Sequence, residues 1–192
     1  MSKIMLATMV LWAALASPLP SFAARIVVSD VNGARIAPLE AGSRKATVLL
    51  FITNDCPIAN ACAPEIERIY RAYAPKQVTL YLVYVDPSLT AEAARAHRKA
   101  YGYTCPAVLD PKHLLVKFAG ARVTPEAALV SPSGKLLYHG RLDDRAVTFG
   151  QVRSQPTKRD LRDALDAYLQ GRPIPVSHTN AVGCGIADLG HN

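Results

Sequence analysis

Val48-Leu49-Leu50-Phe51-Ile52 runs directly into Thr53-Asn54-Asp55-Cys56-Pro57-Ile58-Ala59-Asn60. Five consecutive apolar residues ending in a turn-prone Asn-Asp pair read as a strand buried on both faces. Helical spacing then takes over. Ile58, Cys62, Ile66, Ile69, Tyr70 and Tyr73 share one face, and Pro75 stops the run. A cysteine therefore sits where a central strand ends and a helix begins. Open α/β sheets place ligands and chemistry at the carboxyl ends of their strands. Unpaired N–H groups at a helix start favour an anion, so a thiolate there is stabilised and reactive near neutral pH. Pro57 suits the first helical position, where its missing N–H is not needed. Thr53, three residues before Cys56, is placed to turn its hydroxyl toward the sulfur. Asp55 opposes activation, because adjacent negative charge raises a thiol pKa. The plainer alternative is a small buried hydrophobe at position 56.

Working outward, Asp30 to Arg44 is turn-rich, and Asn32-Gly33 suggests a hairpin. Val78 to Val85 is a second buried strand. Thr90 can cap a helix reaching about Tyr101, with Glu92 in its first turn. Ala107-Val108-Leu109 suggests a short strand and Leu114 to Phe118 a short helix. Ala127 to Val130 and Leu136 to Tyr138 form a hairpin across the turn Ser131-Pro132-Ser133-Gly134. Thr157 is the expected cap of a last helix whose stripe is Leu161, Ala164, Leu165, Tyr168 and Leu169. Gly171 and Pro173 end it, and residues 173–192 read as a tail carrying Cys184. Strand, helix, strand, helix, hairpin, helix implies an α/β domain of thioredoxin-like fold. Its central mixed sheet is parallel in the first half, has an antiparallel C-terminal hairpin, and is flanked by helices.

The chain has 192 residues and a formal charge of +7. Lys and Arg are scattered among acids, and no basic run carries stacking aromatics, so no nucleic-acid partner is expected. Lys3, an uncharged run from Ile4 to Ala16 and the small residues of Ser21-Phe22-Ala23 read as a signal peptide over residues 1–23. The redoxin domain is then residues 24–172. The product is exported, periplasmic or otherwise extracytoplasmic, without stable membrane insertion after cleavage. An oxidising compartment permits disulfides among Cys56, Cys62, Cys105 and Cys184, and sequence alone does not choose the pairing. Cys62 lies about 600° of helical rotation from Cys56 and points away from it. Cys105, before Pro106, reads as core or loop packing. Cys184 lies between Gly183 and Gly185, which let a backbone approach another site closely, and is the candidate partner of Cys56. His97, His113, His139, His178 and His191 lack metal-ligand spacing and read as surface residues. Asp143-Asp144 reads as a charged turn. No metal or cofactor is called for.

The segment from Thr53 to Asn60 with Ala63-Pro64-Glu65-Ile66 resembles the active-site stretch of peroxiredoxin-like redoxins, the alkyl hydroperoxide reductase/thiol-specific antioxidant group. Gly120 to Glu126, Leu137 to Asp144 and Val182-Gly183-Cys184 resemble later stretches of that group. The likeness spans about Arg35 to Ile186. It implies a cis Thr124–Pro125 bond in a loop that faces the active cysteine and offers backbone to an extended peptide. The candidate catalytic residues are then Cys56, Cys184 and Thr53, and the candidate substrate-binding residues Thr124, Pro125 and Pro57.

The chain also departs from the pattern of the group it resembles. Ala59 stands where a vicinal dithiol has its second cysteine. Leu49 replaces the proline of the peroxidase pattern, and Thr124-Pro125-Glu126 occupies the neighbourhood of its arginine, with Arg122 and Arg141 as the nearest substitutes. The expected activity is thiol-dependent oxidoreduction, with protein thiols and disulfides or small peroxides as partners and an external thiol as reductant. A non-catalytic binding module of the same fold is the rival. A copper chaperone is a further one, weakened because Asn60 stands where a second thiolate would be needed.

Overall fold

The computed structural model describes residues 26–40 and 42–187. The predicted signal peptide, the start of the domain at Ala24 and His191 lie outside them. Seven strands form one sheet in the order β2-β1-β5-β4-β3-β7-β8. These are β1 (Val28–Asp30), β2 (Arg35–Ile36), β3 (Ala46–Ile52), β4 (Val78–Tyr84), β5 (Ala107–Leu109), β7 (Glu126–Val130) and β8 (Leu136–Gly140). The short β6 (Val123–Thr124) precedes β7. β3, β4 and β5 run parallel, while β7 and β8 add the antiparallel half. This is the expected mixed sheet of a thioredoxin-like α/β fold. The Asn32-Gly33 turn joins β1 to β2, with Gly33 at φ +90°, and β1 extends the sheet beyond β5.

All seven residues of β3 are buried, which explains its unbroken apolar run. Val48, Leu50 and Ile52 face one core, with Ile66, Ile69 and Leu165. Leu49 and Phe51 face the other, with Leu115 and Val116. Truncating any of these leucines to Ala costs about 2–5 kcal/mol through lost transfer energy and the cavity left behind. The helices are α1 (Pro57–Ala61), α2 (Ala63–Tyr73), α3 (Ala91–Ala100), α4 (Leu114–Ala119) and α5 (Asp160–Leu169). Thr90 caps α3 by accepting from Ala93 N at 3.1 Å. Glu65, 3 % exposed, joins α2 to α5 by accepting from Arg68 and Arg162 at 2.8 and 2.7 Å. The buried carboxylate is neutralised on the spot, so its burial is tolerated.

Two expectations are corrected and two are refined. The helix after Cys56 is two helices, because Pro64 has no N–H to continue the ladder and the chain restarts at Cys62. Thr157 does not cap α5. Its N–H and hydroxyl both donate to Asp144, and the helix starts three residues later at Asp160. Asp143 and Asp144 are buried, at 8 % and 4 % exposure, and bind Arg145 and Arg153. They hold the base of a hairpin the sequence did not reveal, β9 (Ala146–Thr148) and β10 (Gln151–Val152). Residues 173–187 of the expected tail are docked on the domain. They lie across β8 and end in β11 (Cys184–Gly185), which pairs antiparallel with β6.

Candidate active site

Cys56 occupies the N-cap of α1, with extended backbone at φ −75° and ψ 111°. Its Sγ accepts from Ala59 N at 3.4 Å, and Pro57 takes the first helical position. The Thr124–Pro125 bond is cis, and the Thr124 carbonyl faces the sulfur at 3.0 Å. As a thiol, Cys56 donates to that carbonyl; as a thiolate, it can only accept, from Ala59 N and its other donors. The side chain is buried, at 1 % exposure.

β11 brings the second sulfur. Cys184 pairs in register with Thr124, and Gly185 with Val123. Gly183 presses on the cis peptide so closely that a Cβ there would sit 2.2 Å from the Thr124 carbonyl oxygen. Only glycine permits this approach, and it delivers Cys184 to Cys56. Burial pushes the Cys56 thiol up. Hydrogen bonds from the Cys184 thiol and from the Ala59 N–H outweigh it and hold Cys56 below the ordinary cysteine value. Cys184 moves the other way, to about 11, through burial and through its hydrogen bond to Cys56. The pair is polarised: Cys56 is the more acidic sulfur, and Cys184 holds its proton more tightly.

Residues 16–139 match the AhpC/TSA family. This chain belongs to the AhpC/TSA family. A search of the curated proteins finds no match. Among solved structures, an uncharacterized conserved protein from Geobacillus kaustophilus is similar at 27 % identity, covering 91 % of this chain and 94 % of its own, with a TM-score of 0.74. A hypothetical protein from Sinorhizobium meliloti 1021 is similar at 27 % identity, over 92 % and 97 % of the two chains, also at 0.74. A secreted Mycobacterium tuberculosis disulfide oxidoreductase homologous to E. coli DsbE shares the fold at 18 % identity, over 78 % and 97 %, at 0.52.

The remaining candidates of this AhpC/TSA protein fall into two groups. Thr53 lies at the site, but its Oγ1 is 3.5 Å from the Thr124 hydroxyl and forms no hydrogen bond to the sulfur. It braces the proline loop from the strand side. Arg141 is committed to Asp160 at 2.8 Å, so it does not stand in for the peroxidase arginine. Cys62 is half-buried beneath Arg145, whose Nη2 lies 3.7 Å from its sulfur, and burial pushes it to about 11. Cys105 is completely buried and driven up to about 12, first by burial and then by Glu67. Asn60 donates to the Asn54 carbonyl and lies 2.9 Å from His97 Nε2.

The histidines need a correction. His97 and His113 are buried, at 8 % and 3 % exposure. His97 spans Asn60 and the Tyr84 hydroxyl, and burial lowers its pKa, so it stays neutral with both ring nitrogens occupied. His139 lies 2.8 Å from the Glu126 carboxylate. Of those described, His178 alone fits the surface reading. Helical or strand periodicity does not announce such contacts, because each partner is distant in sequence.

Proposed function

We propose that this chain is an extracytoplasmic thiol-disulfide oxidoreductase with Cys56 as nucleophile and Cys184 as resolving thiol. The observation that carries this reading is the polarised sulfur pair at the cis-proline loop. Family membership and the shared fold support redox chemistry in general. The N-terminal pattern of residues 1–23 supports export. The Cys56 thiolate attacks one sulfur of a substrate disulfide, forming a mixed disulfide and expelling the other substrate sulfur as a thiolate. That thiolate takes up a proton. Cys184 then loses its proton to solvent and attacks Cys56 Sγ, forming the Cys56–Cys184 disulfide and releasing the second substrate thiol. The substrate gains two electrons, the protein loses two, and an external thiol reductant restores the pair.

Disulfide substrates are favoured over peroxide because, among the described residues, no arginine donates to the Cys56 sulfur. Thr124 and Pro125 supply the facing backbone, and Pro57 fixes the helix start behind the sulfur. Oxidation with a stoichiometric disulfide, nonreducing digestion and mass spectrometry test the assignment. The expected product is one Cys56–Cys184 link. A dominant Cys56–Cys62 or Cys105–Cys184 link overturns it.

A further inference from the structure

The segment that carries Cys184 is docked at two separate places, and both rely on glycine. At the far end, the backbone of Thr179 lies against Gly140, where φ is +146° and a Cβ would meet Thr179 atoms at 2.3 Å. The Thr179 hydroxyl lies 2.7 Å from the Tyr138 hydroxyl and accepts from Arg141 N at 3.0 Å. His139 N donates to the Ser177 carbonyl, and Thr179 N donates back to the His139 carbonyl. At the near end, β11 pairs with β6, and Ile186 N donates to the Arg122 carbonyl at 2.9 Å. Between them Val182 lines a small groove together with Ile58, Pro125 and Leu142, with Arg141 and Asp143 on its polar side. Ile186 packs on the second core.

An extended chain is thus held at the β6 edge by four features: backbone pairing, an apolar residue against Ile58 and Pro125, a glycine against the Thr124 carbonyl, and a cysteine at the sulfur. Backbone pairing to a sheet edge gives affinity, and side-chain pockets give specificity. An incoming polypeptide substrate needs the same edge, which is already filled. The resemblance already implies that the cis-proline loop offers backbone to an extended peptide; we propose that residues 177–187 fill this edge as a resident copy of the form apolar-Gly-Cys-x-apolar, which an extended partner segment of the same form displaces. This rests on the disulfide-exchange reading above and names its substrate class. When the partner docks, Cys184 is carried away from Cys56 and the partner's sulfur takes its place. While the partner's sulfur is still bonded to Cys56, the strap returns, the Cys184 thiolate attacks Cys56 Sγ to form the Cys56–Cys184 bond, and the partner leaves as a thiol.

The test uses the full chain and the peptide Val-Gly-Cys-Gly-Ile with its cysteine disulfide-linked to an aromatic thiol. Attack by Cys56 on the peptide sulfur forms the mixed disulfide and releases the aromatic thiolate, which absorbs light. The matching peptide with Ala before the cysteine is the first comparison, and needs no altered protein. It reacts at least ~10-fold more slowly if a Cβ must be forced against the Thr124 carbonyl. Thr179→Val, which keeps the side-chain shape but loses two hydrogen bonds of the strap, speeds reaction with the Gly peptide about tenfold. A small aromatic disulfide, needing no edge, changes by less than the peptide does. Equal rates for the two peptides, or equal rates for wild type and Thr179→Val, overturn the docking proposal while leaving the dithiol reading intact. Failure of Cys56 to react even with the small disulfide overturns the dithiol reading, and this proposal with it.

Discussion

Cys56, at the carboxyl end of β3, and Cys105, in the loop before β5, are equally hidden from solvent, at 1 % and 0 % exposure. Their surroundings treat sulfur in opposite ways. Around Cys105 there is burial and the negative charge of Glu67, and the thiol is driven up to about 12. Around Cys56 there is the Ala59 N–H of a helix start and the thiol of Cys184, and the pKa falls despite the burial. Burial alone therefore does not make a cysteine inert. Donors aimed at the sulfur decide, because a thiolate that accepts hydrogen bonds recovers the solvation that burial removed.

The sharpest break in this comparison is substitution of each sulfur by oxygen. Cys56→Ser lowers turnover of a disulfide reporter by at least ~10³-fold, as loss of a nucleophile does. Cys105→Ser keeps the exchange. It instead lowers stability by about 1–3 kcal/mol in chemical denaturation, because a hydroxyl is buried without an assigned partner. If the Cys105 variant lost exchange as well, the two regions would not be distinct.

Cys184→Ala has the next largest effect. The mixed disulfide on Cys56 accumulates in nonreducing mass spectra. Turnover falls about 100-fold, since an external thiol must replace one held in place. The midpoint of iodoacetamide alkylation of Cys56 also rises, because its largest hydrogen-bond donor is gone. An unchanged midpoint would show that the helix start alone activates the sulfur.

A smaller effect separates the regions by pH. Cys62, Cys184 and Cys105 have folded values of about 11, 11 and 12, above the ordinary 9.0. Their contribution to stability is complete below pH 9 and is lost as pH rises through 11 to 12, since the unfolded chain ionises first. Cys56 has the opposite sign: its contribution is present above the ordinary value and disappears as pH falls through its lowered one. Urea midpoints should therefore fall between pH 9 and 12. Cys105→Ala should flatten that fall, and Cys56→Ala should not.

The smallest expected change is Thr53→Val. Its hydroxyl meets Thr124 only at 3.5 Å and does not touch the sulfur, so the alkylation rate of Cys56 should stay within about twofold of wild type. A larger loss would move Thr53 from bracing the loop to acting on the thiolate.

Some of the site could be read from the chain because its signals are local. The apolar run from Val48 to Ile52, the cysteine after it and Pro57 lie within ten residues, and strand, cap and first helical turn each have a short-range signature. The flanking glycines of Cys184 marked a close approach of backbone, though not against what. All five histidines read as surface residues from the sequence; burial sets His97 and His113 apart from that reading, and the contact with Glu126 sets His139 apart. Asp143 and Asp144 do sit in a charged turn after a strand, but their charges give no hint of the arginines that bind them.

The amino-acid order determined the strand, the thiol at its end and the helix start that stabilises an anion, since these depend on neighbours in the chain. Tertiary structure decided which second sulfur meets the first, that residues 177–187 lie along the β6 edge, and that Gly183 rests on Thr124. Those contacts join positions some sixty to one hundred and thirty residues apart. Their energy comes from backbone pairing and packing that exist only once the sheet has assembled, so no local pattern encodes them.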